Sequence, residues 1–204
     1  MHQWEGWLKV LDTLVMDRFR AALRDQHLIT VFDYWCASRG EKSMPSRSDI
    51  DPVDFPPKVL PYLLLADVVS SGSGHRYFHR LCGSAHVEAS GWDQTGTYID
   101  ELPPRDGYRD YLIGLYDALI ARKAPLYTES TYLWREGLVR TTRRLMLPLS
   151  NDQVEVSMVL AVQVFDFPDR QLFIKSTLGN FSEYHETFRL FYPETTTQED
   201  VAKG

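Results

Sequence analysis

Few side chains of this 204-residue sequence are spaced for catalysis or metal binding. The motifs of a nucleophile elbow, a zinc-protease helix, a phosphate-binding loop and a dinucleotide-binding loop do not occur. His79 and His86 could ligate a haem or a metal ion, or could be a strand histidine and a helix-surface histidine. Asp49, Asp51 and Asp54 could form a carboxylate site, but helix capping and solvation explain them better. We therefore expect no catalytic residue and no metal site.

Arg143 is the charged side chain whose position most suggests a binding role. Alternate residues of a strand face opposite sides, and Arg143 shares its row with Val139, Leu145 and Leu147. A second apolar row comprises Val156, Met158, Leu160, Val162 and Val164. We expect both rows to face inward, which would bury the guanidinium. A buried arginine needs an anionic or carbonyl partner. That partner is a ligand carboxylate, a ligand phosphate or an internal acid; the alternative is that Arg143 faces solvent.

The elements that must position these side chains follow from the spacing of apolar residues. Helical spacing predicts helices at the N terminus, before Gly40, over 108–122 and over 167–192. Alternation predicts five strands, over 62–69, 76–82, 126–135, 138–149 and 154–165. This order predicts an α+β fold in which a five-stranded antiparallel sheet carries helices on one face, with further helices at the two termini.

Composition limits the classes of partner. The 22 basic and 28 acidic residues give a formal net charge of −6, which argues against nucleic acid as a partner, because binding phosphates without specificity needs a cationic face. Cys36 and Cys82 stand alone, as expected for reduced thiols in the cytosol. No segment approaches the ~20 apolar residues of a membrane-spanning helix. We therefore expect a soluble cytoplasmic protein.

Several local motifs resemble a family of bacterial single-domain PAS-like proteins. Its members begin with a tryptophan-containing helix that ends in Arg-Gly, here Trp35 to Gly40, followed by a Pro-Ser-Arg…Asp-Ile-Asp-Pro segment, here residues 45–52. Further matches are Arg-Leu-Cys-Gly at 80–83, Gly-Trp-Asp-Gln-Thr-Gly at 91–96 and Leu-Met-Leu-Pro-Leu-Ser at 145–150. The resemblance covers about residues 30–166, and the 45–52 segment is its most specific part.

The resemblance implies a cavity between the 108–122 helix and the sheet. From the apolar side of the helix and the strand alternation, we expect these ligand-binding residues: Tyr108, Tyr111, Leu115, Leu145, Met158 and Leu160, with Arg143 as the charged group. The cysteine box of flavin-binding PAS domains is not found between residues 83 and 107, and the 108–122 helix has no histidine for a haem. The cofactor is therefore unassigned.

The N-terminal helix carries an apolar stripe that comprises Trp4, Trp7, Leu8, Leu11, Leu14, Val15 and Phe19. Acidic residues offset the basic ones on its polar face, so we favour a homodimer interface over a membrane surface. By resemblance, flanking helices of PAS domains commonly pair. We divide the chain into an amphipathic helical extension (1–29), a PAS-like sensor domain (30–166), a C-terminal helix (167–192) and a flexible tail (193–204).

Three functional hypotheses follow. The leading one is a non-catalytic PAS sensor that binds a small ligand in its core and signals through dimerisation and a downstream partner protein. The second is a ligand-free adaptor of the PAS type that only binds other proteins. The third is a small enzyme on an α+β sheet, which is least favoured because the sequence shows no pairing of a nucleophile with a base.

Overall fold

The computed structural model describes residues 14–72, 74–102, 107–134, 138–166 and 182–192. Its helices are α1 (14–22), α2 (Gln26–Arg39), α3 (Ser84–Ser90) and α4 (Tyr108–Arg122). Its strands are β1 (Leu63–Ser71), β2 (Gly74–Cys82), β3 (Leu126–Trp134), β4 (Leu138–Leu149), β5 (Met158–Phe165) and β6 (Ser182–Phe191). Short 3₁₀ turns cover Arg47–Asp49, Pro52–Asp54, Leu60–Tyr62 and Ile99–Glu101. Among the described helices, none has the length and hydropathy to cross a bilayer.

The strands form one antiparallel sheet in the order β2-β1-β5-β4-β3-β6. This confirms the α+β class and the antiparallel sheet, although the sheet has six strands rather than five. β5 pairs with β1 and β4, and nearly all of its side chains are buried. Helices cover both faces of the sheet rather than one, because α2 packs on β4 and β5 while α4 packs on β2 and β4 from the other side.

Residues 182–191 form a strand, so the prediction of a helix over 167–192 is wrong for this part. β6 pairs with β3, and Phe188 lies opposite Glu129. Backbone hydrogen bonds to the open edge of β3 replace those of a helix, and threonine and aromatic residues favour the extended state. A short run of apolar residues three to four apart did not separate the two possibilities.

α2 covers one face of the sheet. Asp25 caps its first turn by accepting a hydrogen bond from the backbone N–H of His27 at 2.7 Å. Its buried residues Leu28, Val31, Phe32 and Trp35 recur at helical spacing. The Trp35 indole N–H donates to the carbonyl of Pro148 on β4 at 2.9 Å. The helix is thus fixed to the sheet by an apolar stripe and one buried hydrogen bond.

The described part of the predicted N-terminal extension, 1–29, has one end buried in the domain and one end exposed. Phe19 of α1 is buried, with its ring centroid 5.0 Å from that of Phe32, so this end of the apolar stripe packs within the chain. Leu14, at the other end of the described helix, is 59% exposed. Val15 of the stripe is half-buried, whereas its other four residues fall in 1–13, outside the described residues, as do residues 167–181 and the predicted flexible tail at 193–204.

The three aspartates near residue 50 order the segment before β1. Asp49 accepts from the Lys42 ammonium group at 2.7 Å and from the backbone N–H and hydroxyl of Ser46, and these bonds together lower the pKa of Asp49 to about 2. Asp51 caps the following 3₁₀ turn through the backbone N–H two residues ahead. Asp54 accepts from the Tyr34 hydroxyl at 2.8 Å, which ties the segment to α2. These contacts are capping and anchoring interactions.

Candidate ligand-binding site

The two faces of the sheet are defined by neighbouring residues of β4. Arg144 lies opposite Gln163 of β5 and shares its face with Thr142. Arg143 lies opposite Val164 and shares the other face with Leu145. Because paired residues in an antiparallel ladder point to the same side, the first set faces α4 and the second set faces the N-terminal helices.

A cavity of about 70 Å³ lies between α3, α4, the 99–101 turn and the sheet. Its apolar lining comprises Leu64, Ala89, Ile99, Leu102, Leu112, Tyr116, Ala161 and Phe165, and its polar lining comprises His79, His86, Ser90, Gln94, Tyr108, Thr142, Arg144 and Gln163. This volume accommodates several water molecules or one small organic molecule. An apolar wall with a few convergent polar groups is typical of a ligand site.

A directed chain of hydrogen bonds positions Arg144 at the cavity. The Thr142 hydroxyl donates to the carbonyl of Val164 at 2.9 Å, and the Gln163 amide donates to the Thr142 oxygen at 2.8 Å. The amide oxygen of Gln163 therefore points to Arg144, whose Nε and Nη2 donate to it at 3.2 and 2.8 Å. Nη2 also donates to the Tyr108 hydroxyl at 2.7 Å. These bonds fix a guanidinium that is 4% exposed.

Gly83 allows α3 to carry a histidine into the cavity. A Cβ atom at this residue would overlap the carbonyl of Pro61, so only glycine permits this approach between α3 and the 60–62 turn. The approach brings Nε2 of His86 to 2.9 Å from the carbonyl of Tyr62. Because a carbonyl oxygen only accepts, Nε2 carries the proton and donates it.

Both cavity histidines are neutral at pH 7. Burial lowers the pKa of His79 to about 4 and that of His86 to about 3. His79 is 3% exposed, and its Nδ1 atom has no hydrogen-bond partner among the residues that the structure describes. A buried nitrogen without a hydrogen-bond partner lowers the stability of the fold unless a ligand or another group forms a hydrogen bond with it.

Two of the predicted site residues on α4 lie outside the cavity lining. Tyr108 lines the cavity. Tyr111 instead directs its hydroxyl to Glu186 of β6 at 2.7 Å. Leu115 is fully buried in the core.

The predicted sheet residues belong to the opposite face from the cavity. Leu145, Met158 and Leu160 lie in the row that faces the N-terminal helices, and none of them lines the cavity. The interpretation that the more apolar row faces the cavity is therefore corrected by the structure. The physical reason is that α2 packs on that row, which leaves the mixed polar row to form the cavity floor.

Arg143 has an internal acid as its neighbour. Its Nε lies 3.9 Å from a carboxylate oxygen of Glu129 on β3. The same carboxylate accepts a hydrogen bond from the Tyr127 hydroxyl at 2.8 Å and lies 3.6 Å from Nε of Arg24, between α1 and α2. Glu129 is thus an internal acid close to Arg143, and the arginine that lines the cavity is Arg144.

The sequence interpretation missed most of the polar lining. Strand alternation places Thr142, Arg144 and Gln163 on the side opposite the two rows that are expected to face inward, yet these three residues line the cavity. The informative signal was their position, since a polar row in two central strands that are buried on both faces must be satisfied internally. Within the described part of the chain, no group of three or more His, Cys, Asp or Glu side chains could hold a metal ion.

Comparison with known proteins agrees with this architecture. A family model described as a PAS domain matches residues 23–163, which include α2, α3, α4 and nearly all of the first five strands. No curated protein matches the sequence significantly. PAS domains are in general sensory or interaction modules and are typically non-catalytic. The match spans well over half of the sequence, and the chain belongs to the PAS domain family.

Proposed function

We propose that the protein is a non-catalytic PAS sensor that binds a small molecule beneath α4 and signals to a partner protein as a homodimer. The observation that carries this proposal is the combination of the cavity with the hydrogen-bonded chain from Thr142 to Arg144. This series of hydrogen bonds holds charged and polar groups at the centre of the sheet, where they line the cavity.

Such an arrangement contributes little to stability by itself. Buried polar groups lose their hydration, and their internal hydrogen bonds roughly restore it. Apolar side chains of similar volume would fill the same space and give a stability at least as high. Because the sheet instead keeps Arg144 and Gln163 around a cavity, ligand binding accounts for the arrangement better than packing does.

Native mass spectrometry of the full chain tests the ligand. Ala161→Leu adds three carbon atoms at the cavity floor, and Val162→Leu, which adds one methylene to the opposite row of the same strand, is the control. We expect wild type and Val162→Leu to retain a small molecule above the 23.6 kDa polypeptide mass, and Ala161→Leu to lose it. If the wild type shows only the mass of the polypeptide, and no compound in a set of metabolites raises its melting temperature, the adaptor hypothesis would be favoured.

The homodimer is assigned to the N-terminal helix, because Leu14 leaves an apolar side chain of the stripe in solvent. Leu14→Asp should weaken the dimer in sedimentation velocity at low micromolar concentration. Val53→Asp places the same charge on another exposed apolar residue and should leave the dimer intact. Equal sedimentation of both variants and the wild type would place the interface elsewhere.

A further inference from the structure

The cavity has a positively charged side chain in its wall, that of Arg144, a residue that is 4% exposed. The charge of Arg144 contributes to the lowered pKa of His86 and opposes the rise in the pKa of Tyr116, so its field acts on two walls of the cavity. The hydrogen bonds to Gln163 and Tyr108 use neutral oxygens and hold the guanidinium in a fixed orientation. A guanidinium fixed in the wall of the cavity favours an anionic ligand, and a carboxylate is an anion that arginine commonly binds.

His79 supplies a second, independent constraint on the ligand. Its ring lines the cavity, and Nδ1 is buried without a hydrogen-bond partner among the described residues. A neutral imidazole nitrogen either accepts from a hydroxyl or donates to a carbonyl, depending on the tautomer. A hydroxyl or carbonyl oxygen of the ligand would complete His79 in either tautomer.

The remaining walls limit the size and the polarity of the ligand. Leu64, Leu102 and Phe165 contribute apolar surface between these polar groups. A cavity of about 70 Å³ limits the ligand to a small organic molecule.

From these observations, and resting on the proposed function, we infer that the ligand is a short hydroxy- or oxo-monocarboxylic acid. Its carboxylate lies against Arg144, its second oxygen lies at Nδ1 of His79, and its alkyl part contacts the apolar wall. The ligand binds without covalent change.

Calorimetric titration of the full chain with defined probes tests this assignment. Lactate and pyruvate carry both features, propionate lacks the second oxygen, and lactamide lacks the charge. We expect lactate or pyruvate to bind at least about tenfold more tightly than lactamide, as for loss of a charge-assisted hydrogen bond. This comparison needs no substitution, so it does not depend on the folding of a variant.

Two pairs of variants locate the contacts. Arg144→Gln should weaken lactate or pyruvate by at least about tenfold, while Arg143→Gln, on the adjacent residue of the opposite face, should stay within about twofold of wild type. His79→Leu should reduce the affinity for lactate or pyruvate to that for propionate and leave propionate unchanged. His75→Leu, at an exposed residue of the same strand, should change neither.

The outcomes separate this inference from the proposed function. If lactate and lactamide bind equally well and Ala161→Leu abolishes the binding of both, the carboxylate assignment is wrong but the cavity is still a ligand site. A molecule retained in native mass spectrometry that contains no carboxylate would do the same. If no probe binds and the wild type has a bare polypeptide mass, both the inference and the ligand-binding function fail.

Discussion

The two faces of the central sheet are formed by alternate residues of the same strands, yet they differ in every other respect. On the face under α2, Leu147 and Val162 are fully buried against an apolar helix stripe. On the face under α4, Thr142 and Gln163 hold Arg144 beside a cavity. The first face contributes dense apolar packing, and the second contributes positioned polar groups and space.

This difference suggests how one sheet serves two purposes. Dense packing on one side supplies stability through apolar burial. That stability tolerates a cavity and a buried charge on the other side, each of which lowers stability. We therefore expect substitutions on the α2 face to act on folding and those on the α4 face to act on binding.

The largest expected effect is on the α2 face. Trp35→Ala removes a fully buried indole and leaves the carbonyl of Pro148 without its donor. It should lower the free energy of unfolding by about 3–5 kcal/mol in urea denaturation. Val53→Ala, at an 87% exposed residue, should change it by less than about 0.5 kcal/mol. A loss below about 1 kcal/mol for Trp35→Ala would show that α2 is not what stabilises this face.

Low pH should reduce the stability of the fold through groups on the α4 face. The pKa of His79 is lowered from 6.5 to about 4 by burial, so between these values the unfolded chain binds the proton that the folded chain excludes. Stability is therefore complete above pH 6.5 and falls as the pH is lowered, by about 3 kcal/mol at pH 4. Neutral His86 acts in the same direction.

Urea unfolding at a series of pH values from 7 to 4 measures this effect. His79→Leu should give a shallower fall in the free energy of unfolding than wild type. His75→Leu removes an exposed imidazole from the same strand and should keep the wild-type fall. An unchanged slope in His79→Leu would mean that His79 is not buried as a neutral group.

A smaller effect is expected at the floor of the cavity. Gln163→Leu removes the acceptor of two Arg144 donors, so buried polar groups lose their partners. The free energy of unfolding should fall by about 2 kcal/mol. Leu160→Met changes the opposite row of the same strand at nearly constant volume and should cost less. The reverse order would contradict the division between the two faces.

The smallest effect distinguishes two tyrosines on α4. Tyr108→Phe removes the hydroxyl that accepts from Arg144, and Tyr111→Phe removes the hydroxyl that contacts Glu186 and Ser130. Each should lower the free energy of unfolding by about 1 kcal/mol. Only Tyr108→Phe should also alter the affinity for the cavity ligand, measured by calorimetry. If both variants bind the cavity ligand with the same affinity, Tyr108 is not part of the binding site.

Strong local patterns were sufficient to predict much of this fold. The helix over 108–122 and the strand over 138–149 have the predicted bounds, because their apolar spacing is long and regular. β6 was missed, since its extended state depends on pairing with β3, which is distant in sequence. Alternation separates Arg143 from Arg144 but does not reveal which layer of helices covers each row.

The position of β5 in the sheet has a consequence for the order of folding. β1 and β2 form a local hairpin, and so do β3 and β4, but in the described sheet the two hairpins are joined only through β5. The joining contacts, such as Leu65 with Leu160, link residues far apart in the chain. Contacts of this kind form slowly because their loop-closure entropy is high. During synthesis, the two halves of the domain should therefore remain unlinked until β5 has left the ribosome.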